Sequence, residues 1–355
     1  MKTNFYFFLF IILSIKMYAQ KKTLKCEKVY DAIKLVDRQE YDEGIKILEE
    51  CEKIDPLEYT YPYEIALAKT YSKDYDGAIK KLIKIKNSKA IRDDYYQLLG
   101  NNYDYLGDSA MAVRTYNEGL KKFPKSGRLY LEKGVMYENS QPIEALKIYE
   151  KGIETDPMYP SNYYRAAKIY LKTNDRLSGL IYGEIFMNLE RTTSRTKEMS
   201  ELLYNGYKKS LIFTSKTESK TEFCPAVIDV AVYDKKKELP LCINFAYSYL
   251  IAMMKHPEFN YSNLIQIRQD FLKEYQKLKI NNAPNVLLNY FKTMDDNMVF
   301  NAYNYYIFQV ANKDAFAEWQ TKNKAEYERF EDWYTTTSNQ LLVDSKNFYI
   351  SDQIK

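Results

Sequence analysis

A repeating pattern with a period of about 34 residues constrains the fold of this chain more than any other feature of its sequence. A small residue returns at the same place in each period, at Gly44, Ala78, Ala112, Ala145 and Gly179. Four positions further along, a bulky residue returns in the first four periods, and the fifth period has a glycine there. A fixed period of this length indicates a repeat architecture, in which each unit buries its apolar face against the next unit.

The clearest period spans residues 93–126 and contains the patterns of two helices. Tyr96, Leu99 and Tyr103 recur at helical spacing, which predicts the buried face of a first helix. Gly107 predicts the turn, and Pro124 ends the second helix. The full set of marks is Tyr96, Leu99, Gly100, Tyr103, Leu106, Gly107, Asp108, Ala112, Tyr116, Gly119, Phe123 and Pro124. This pattern resembles the signature of the tetratricopeptide-repeat (TPR) family.

The resemblance implies an all-α fold, in which a TPR helical-hairpin solenoid of about five repeats is followed by a second, mostly helical C-terminal region. The repeat domain is expected over residues 20–190 and the C-terminal domain over 191–355. The first and fifth repeats depart most from the pattern, as expected of units that end a stack. The repeats are expected at residues 25–58, 59–92, 93–126, 127–159 and 160–190.

Residues 1–19 precede the repeats and predict a secretory signal peptide. Lys2 gives a basic start, residues 5–15 are almost entirely apolar, and Ala19 offers a cleavage point. The apolar run is shorter than the roughly 20 residues that span a bilayer, and an uncleaved anchor is the alternative. The expected location is therefore the periplasm or cell envelope. Residues 301–333 also resemble the C-terminal parts of TPR proteins from Bacteroidetes cell envelopes.

The 34-residue period is lost at about residue 192, where the C-terminal region begins. Residues 214–222 are polar and are expected to form a loop. Residues 223–233 are apolar and rich in β-branched side chains, so that both a strand and a buried helix fit the pattern. Further helical patterns cover residues 261–280, 285–310 and 314–334.

Charge and cysteine content narrow the class of protein further. Lys and Arg total 52 against 48 Asp and Glu, and this near-neutral balance lacks the dense positive stripe of a nucleic-acid binder. An even number of cysteines in an exported chain is compatible with two disulfides. Cys26 with Cys51 and Cys224 with Cys242 are the preferred pairs, and four buried reduced thiols are the alternative.

The sequence contains no motif of a known reaction centre, such as GxGxxG, GxSxG or HExxH. The sole histidine, His256, stands at a predicted helix end, which indicates a surface or capping role. We therefore expect a protein that is not an enzyme and has no cofactor and no metal. One alternative is a carboxylate-based hydrolase with a TPR docking domain. The other is an envelope glycan-binding protein, which requires Trp319 or Trp333 to be exposed, although helical spacing predicts a core position for both.

The TPR resemblance implies that a concave groove, lined by first-helix residues, binds a partner. This groove is expected to be polar in the third repeat, apolar in the fourth and basic in the fifth, which suits a peptide with an apolar segment and an acidic end. Ordinary solvated residues, with the partner on another face, are the alternative. The candidate groove residues are Gln97, Asn101, Tyr105, Leu131, Val135, Tyr164, Arg165, Lys168 and Lys172.

Together these patterns predict a non-catalytic TPR scaffold or adaptor that mediates protein–protein interactions. The expected partner is a protein or a peptide, and no nucleic acid is expected. Membrane association is expected only through a partner or through an uncleaved signal.

Overall fold

The computed structural model describes residues 24–215, 218–225, 240–278 and 285–354. The predicted signal peptide and residues 226–233 of the ambiguous apolar segment lie outside the described residues. The chain divides into two compact units, one ending at Ser88 and the other beginning at Lys89. Across the described ranges, no helix is long and apolar enough to cross a membrane.

The first unit contains two helical hairpins. Its helices are α1 (Val29–Asp37), α2 (Tyr41–Ile54), α3 (Thr60–Tyr71) and α4 (Tyr75–Lys84). Its core holds Cys26, Leu48, Cys51 and Tyr61, and the hydroxyl of Tyr61 accepts a hydrogen bond of 3.2 Å from the backbone nitrogen of Cys26. Cys26 and Cys51 form a disulfide with Cα atoms 5.3 Å apart, which links the start of the first hairpin to its second helix.

Three further hairpins open the second unit. Asp108, Ser126 and Asp175 begin three of their helices, because each side chain accepts a hydrogen bond from the backbone nitrogen three residues later. Gly107 adopts a φ of 82° in the first turn, a conformation that costs glycine little. The helices are α5 (Asp93–Tyr105), α6 (Ser109–Lys122), α7 (Gly127–Val135), α8 (Pro142–Thr155), α9 (Pro160–Tyr170) and α10 (Arg176–Leu189).

Glycine allows close packing inside two of these hairpins. A Cβ at Gly100 would overlap the ring of Tyr116, and a Cβ at Gly134 would overlap the ring of Tyr149. Both rings are buried, so each tyrosine of a second helix lies directly against the backbone of its first helix. The same contact between a glycine and a tyrosine ring therefore occurs at equivalent positions of two consecutive repeats.

Over its described residues, the rest of the second unit is mostly helical and includes one small β-hairpin. Strand β1 (Leu211–Phe213) pairs antiparallel with β2 (Ser219–Thr221), so the predicted loop over 214–222 is partly a strand. Two short 3-10 helices follow at Thr337–Asn339 and Ser351–Ile354. The helices are α11 (Ser194–Ser210), α12 (Leu241–Met253), α13 (Tyr261–Lys277), α14 (Val286–Asp296), α15 (Phe300–Ile307), α16 (Lys313–Lys322) and α17 (Lys324–Thr335).

One hydrophobic core runs from Ala145 in the fourth hairpin to Tyr349 near the C-terminus. Consequently, the core does not divide at residue 190, where the sequence pattern places the end of the repeats. The all-α class of helical hairpins followed by a mostly helical region is confirmed. The domain bounds stay a prediction.

The centre of this core contains an ion pair. Arg268 on α13 donates to both carboxylate oxygens of Glu184 on α10, at 2.6 and 2.9 Å, and both side chains are almost fully buried. The hydroxyls of Tyr207 and Tyr303 also donate to Glu184, and Arg268 donates to Asn304 at 2.7 Å. Hydrogen bonds thus compensate both charges at this site.

Candidate functional site

The first helices α5, α7 and α9 lie side by side in the second unit, and α11 continues the row through contacts with α9. We call the surface formed by the candidate groove residues on α5, α7 and α9, with Lys172 just beyond α9, the first-helix face. Its members are Gln97, Asn101, Tyr105, Leu131, Val135, Tyr164, Arg165, Lys168 and Lys172. Tyr105 and Lys172 are the most accessible of them, Tyr164 is buried, and the others are half-buried.

Polar side chains connect α5 to α7 across this face. Gln97 donates to Glu132 at 2.6 Å and accepts from Arg128 at 3.3 Å. Burial raises the pKa of Glu132, although the hydrogen bond from Gln97 and the nearby arginines act against that rise. Asn101 accepts a hydrogen bond of 2.7 Å from Tyr116 of its own hairpin. The polar part of the face is therefore already hydrogen-bonded within the protein.

The basic part of the face is paired with carboxylates. Arg165 lies 3.0 Å from Glu138, and Lys168 lies 2.7 Å from Glu198 on α11. The hydroxyl of Tyr164 also donates to Glu198. Hydrogen bonds from Lys168 and Tyr164 hold the pKa of Glu198 below its ordinary range. Carboxylates therefore balance most of the positive charge that is expected in the last repeat. The charge of Lys172 is the part that remains.

A separate cavity of about 390 Å³ lies near the start of α11. Part of its wall is apolar and comes from Met187, Tyr306, Val310 and Phe316. Hydroxyl and amide groups form another part, from Thr192, Thr193, Thr196, Ser200 and Gln309. The remaining lining residues are Arg191, Lys197 and Lys313, so the wall contains three cations and no carboxylate.

The sequence patterns did not identify this cavity. The run of threonines before α11 predicts a capped loop, and Thr193 does cap α11 by accepting from the backbone nitrogen of Thr196. Lys313, however, lies more than a hundred positions further along the chain. Only the tertiary packing of α15 and α16 brings it to the same cavity, and no local pattern could show that.

The cysteines predicted to pair are together in the structure. Cys224 follows β2 and pairs with Cys242 near the start of α12, and Cys26 pairs with Cys51 in the first unit. Both pairs are local, since 18 and 25 positions separate their members in sequence. That these cysteines are oxidised in the cell remains a proposal.

The two tryptophans do not form an exposed platform. The Trp319 ring stacks on Tyr305 with centroids 4.0 Å apart, and the Trp333 ring packs against Tyr290 at 5.8 Å. Both indoles are half-buried against the hydrophobic core. The glycan-binding alternative required one of them to be exposed, so this arrangement gives it no support.

The sole histidine and the acidic residues give no support to a hydrolase site or a metal site among the described residues. His256 lies 3.4 Å from Asp270, which also lies 3.5 Å from Lys255. Over the ranges that the structure describes, no group of three or more His, Cys, Asp or Glu side chains could hold a metal ion. The buried carboxylate of Glu184 is bound to Arg268 and does not line the cavity near α11.

No protein-family model matches this chain, and no curated protein sequence matches it. Among solved structures, the chain is similar to a thermophilic TPR protein of Thermus thermophilus, with 15% identity and a TM-score of 0.41, over 49% of this chain and 96% of that one. It is similar to PilW, a type IV pilus biogenesis factor, with 16% identity and a TM-score of 0.41, over 51% and 83%.

The TPR protein YrrB, which has an unusual peptide-binding site, is also similar, with 16% identity and a TM-score of 0.35, over 51% of this chain and 90% of its own. Two of these proteins are described as TPR proteins and the third as a pilus biogenesis factor, and each similarity covers about half of this chain. The fold and the surfaces described above rest on the geometry of the chain itself.

Proposed function

We propose that this protein is a non-catalytic adaptor that binds another protein through the first-helix face of its second unit. The observation that carries the proposal is the row of first helices whose polar side chains are bonded from one helix to the next. Gln97 connects α5 to α7, Arg165 connects α9 to Glu138 just beyond α7, and Lys168 connects α9 to α11. Side chains that are held before binding lose little conformational freedom on binding, which favours recognition.

The chemistry of the face defines the proposed partner. Because Glu138 and Glu198 balance Arg165 and Lys168, the face does not favour a strongly acidic peptide end. Tyr105 on α5 has 55% of its surface exposed, and Leu131 and Val135 on α7 are half-buried. A partner segment with an apolar or aromatic side chain and few charges fits this surface best.

The proposed location is the periplasm or cell envelope. The basic start and apolar run of residues 1–19 support export. The local pairing of all four cysteines also supports an oxidising compartment, because disulfides persist there and are rare in reducing ones.

The proposal is tested by crosslinking in native cells, followed by purification of this protein and identification of the proteins bound to it. The test variant is Tyr105→Ala/Lys172→Glu, which changes the two most accessible positions of the first-helix face. The control variant, Tyr247→Ala/Lys208→Glu, changes a tyrosine of similar exposure, 52% against 55%, and an exposed lysine elsewhere in the same unit.

We expect the wild type and the control variant to retain a common partner, and the test variant to lose most of it. If both variants retain the partner equally, another face binds it and the proposed site is wrong. If the wild type crosslinks only to itself, the adaptor function loses its support.

A further inference from the structure

Three cations line the cavity near α11 without a counter-charge. Arg191, Lys197 and Lys313 all contribute to its wall, and none of them has an ion pair within the described ranges. Three interhelical cations elsewhere in this unit are paired: Arg165 with Glu138, Lys168 with Glu198, and Arg268 with Glu184. Each of the three has an acidic neighbour in sequence, and none of these neighbours lines the cavity. Glu190 is bound by Arg195 and Thr193, Glu198 is bound by Lys168 and Tyr164, and Asp314 is exposed at the start of α16. The wall of the cavity therefore contains three positive charges and no carboxylate.

The guanidinium of Arg191 is held in place by neutral groups. Its Nη1 donates to the backbone oxygen of Tyr334, its Nε donates to that of Asn188, and its Cζ lies 3.8 Å from the centre of the Tyr334 ring. Its Nη2 is buried and has no acceptor in the part of the chain that the structure describes. An arginine stays charged at every physiological pH, and buried charges in proteins are usually paired. Because Arg191 is also part of the cavity wall, an anion in the cavity would lie next to this guanidinium charge.

Other groups of the cavity also favour an anion. Thr192, Thr193, Thr196 and Lys197 belong to the start of α11, where the helix dipole is positive. Another part of the wall is apolar and contains Met187, Val310 and Phe316. A bare inorganic ion would leave this wall without contact, whereas a carboxylate on a short hydrocarbon body would cover it. The cavity volume of about 390 Å³ lies within the range of small-molecule sites.

We propose that this cavity binds a small organic acid, with its carboxylate at Arg191, Lys197 and Lys313 and its apolar body against Met187, Val310 and Phe316. The site is distinct from the first-helix face and goes beyond the adaptor function proposed above. Lys197 and Lys313 are exposed, so that they supply charge to the cavity without a role in the core.

The experiment uses the chain from Gln20 onward and isothermal titration calorimetry at low salt. The probe is hexanoate. Hexanamide serves as the uncharged control ligand of the same size. Inorganic phosphate has the charge without the apolar body. The test variant is Lys197→Ala/Lys313→Ala. The control variant, Lys208→Ala/Lys209→Ala, removes the same charge from exposed positions at the other end of α11.

We expect one hexanoate to bind per chain, with a Kd at least tenfold weaker in the test variant and changed by less than twofold in the control variant. We expect hexanamide not to bind. Equal weakening in both variants would show that general charge attraction explains the binding, and the proposed site would be wrong. Equal affinity for hexanamide would overturn the role of the cations. Phosphate binding as tight as that of hexanoate, and lost in the test variant, would overturn the role of the apolar wall.

Discussion

The second helices of the third and fifth hairpins carry the same repeat pattern but have different environments. Only a stripe of α6 is buried, formed by Ala112, Thr115, Tyr116 and Gly119, and its other faces are in contact with solvent. In contrast, twelve of the fourteen residues of α10 are buried. The helix α10 packs against α9, α11 and α14, and Tyr349 near the C-terminus covers part of it.

This difference shows that the fifth hairpin is not the end of a stack. A helix that is apolar on all sides is typical of a core, whereas an end unit needs a polar outer face. The segment from Leu177 to Asn188 contains one charged residue, Glu184. The fifth hairpin therefore serves as the centre around which the C-terminal region packs, and its departure from the repeat pattern follows from that role.

Of the changes considered for the core around α10, we expect the largest effect from loss of its buried ion pair. Replacing Arg268 with Met leaves the carboxylate of Glu184 buried without its counter-charge, although two tyrosine hydroxyls still donate to it. Loss of one partner of a buried pair typically costs about 3–5 kcal/mol of the free energy of unfolding. Urea unfolding followed by circular dichroism measures this change.

The matched control is Arg114→Met, which breaks the exposed pair of Arg114 with Glu118 on α6. Its expected cost is below about 0.5 kcal/mol, since exposed pairs of this spacing contribute little. The double variant Arg268→Met/Glu184→Leu should recover much of the lost stability, because it leaves no buried charge. If Arg268→Met costs no more than Arg114→Met, the core around α10 does not depend on this pair.

A smaller effect is expected where glycine allows close packing. In Gly100→Ala the new methyl group overlaps the rigid ring of Tyr116, whereas in Gly183→Ala it meets the flexible ends of Met199 and Leu203. Overpacking lowers the free energy of unfolding by about 1–3 kcal/mol, and the higher helix propensity of alanine raises it by about 1 kcal/mol. Gly100→Ala should therefore lower the free energy of unfolding, by about 1 kcal/mol more than Gly183→Ala. Urea unfolding of the two variants side by side measures the difference, and an equal cost would contradict the difference in packing that we describe.

Sequence patterns predict the parts of this fold that depend on nearby residues. The turn at Gly107 and the capped start of α11 at Thr193 follow from local rules that hold in any context. Contacts between distant segments have no such signal. Arg268 lies 84 positions from Glu184, and a lone carboxylate in an apolar helix does not indicate which cation will neutralise it. Strand β2 is missed because three residues are too few to show a period.

The candidate surface shows the same limit. Helical spacing places Gln97, Lys168 and the other candidates on the first helices, and the structure has them there except Lys172, which lies just beyond α9. It does not show that Glu132 and Glu198 compensate them, because these carboxylates belong to the neighbouring helices. The prediction of a basic end rests on the lysines of α9 and its C-terminal end. It does not include Glu198, the acidic residue that α11 brings next to them.

The smallest expected effect concerns the pair of Lys168 with Glu198, which joins α9 to α11 beside the core around α10. The pKa of Glu198 lies below its ordinary range because Lys168 and Tyr164 donate to it. Its contribution to stability is therefore complete above the unfolded pKa of about 4.3 and is lost as the pH falls through the lower pKa of the folded state. Glu198→Gln should cost less than about 1 kcal/mol at pH 7, because the pair is partly exposed.

Measured by urea unfolding as a difference from wild type, this cost should shrink as the pH falls from about 4 through the lower pKa of Glu198 in the folded state, because the carboxyl group then becomes neutral like the amide. Glu318→Gln is the matched control, since Glu318 pairs with Lys322 on α16 alone and both side chains are well exposed. A cost of Glu198→Gln near zero at every pH from about 7 to about 3 would mean that the charge of Glu198 does not join the two helices. The hydrogen bond from Tyr164, which the amide of glutamine can also accept, would then be the contact that joins α9 to α11.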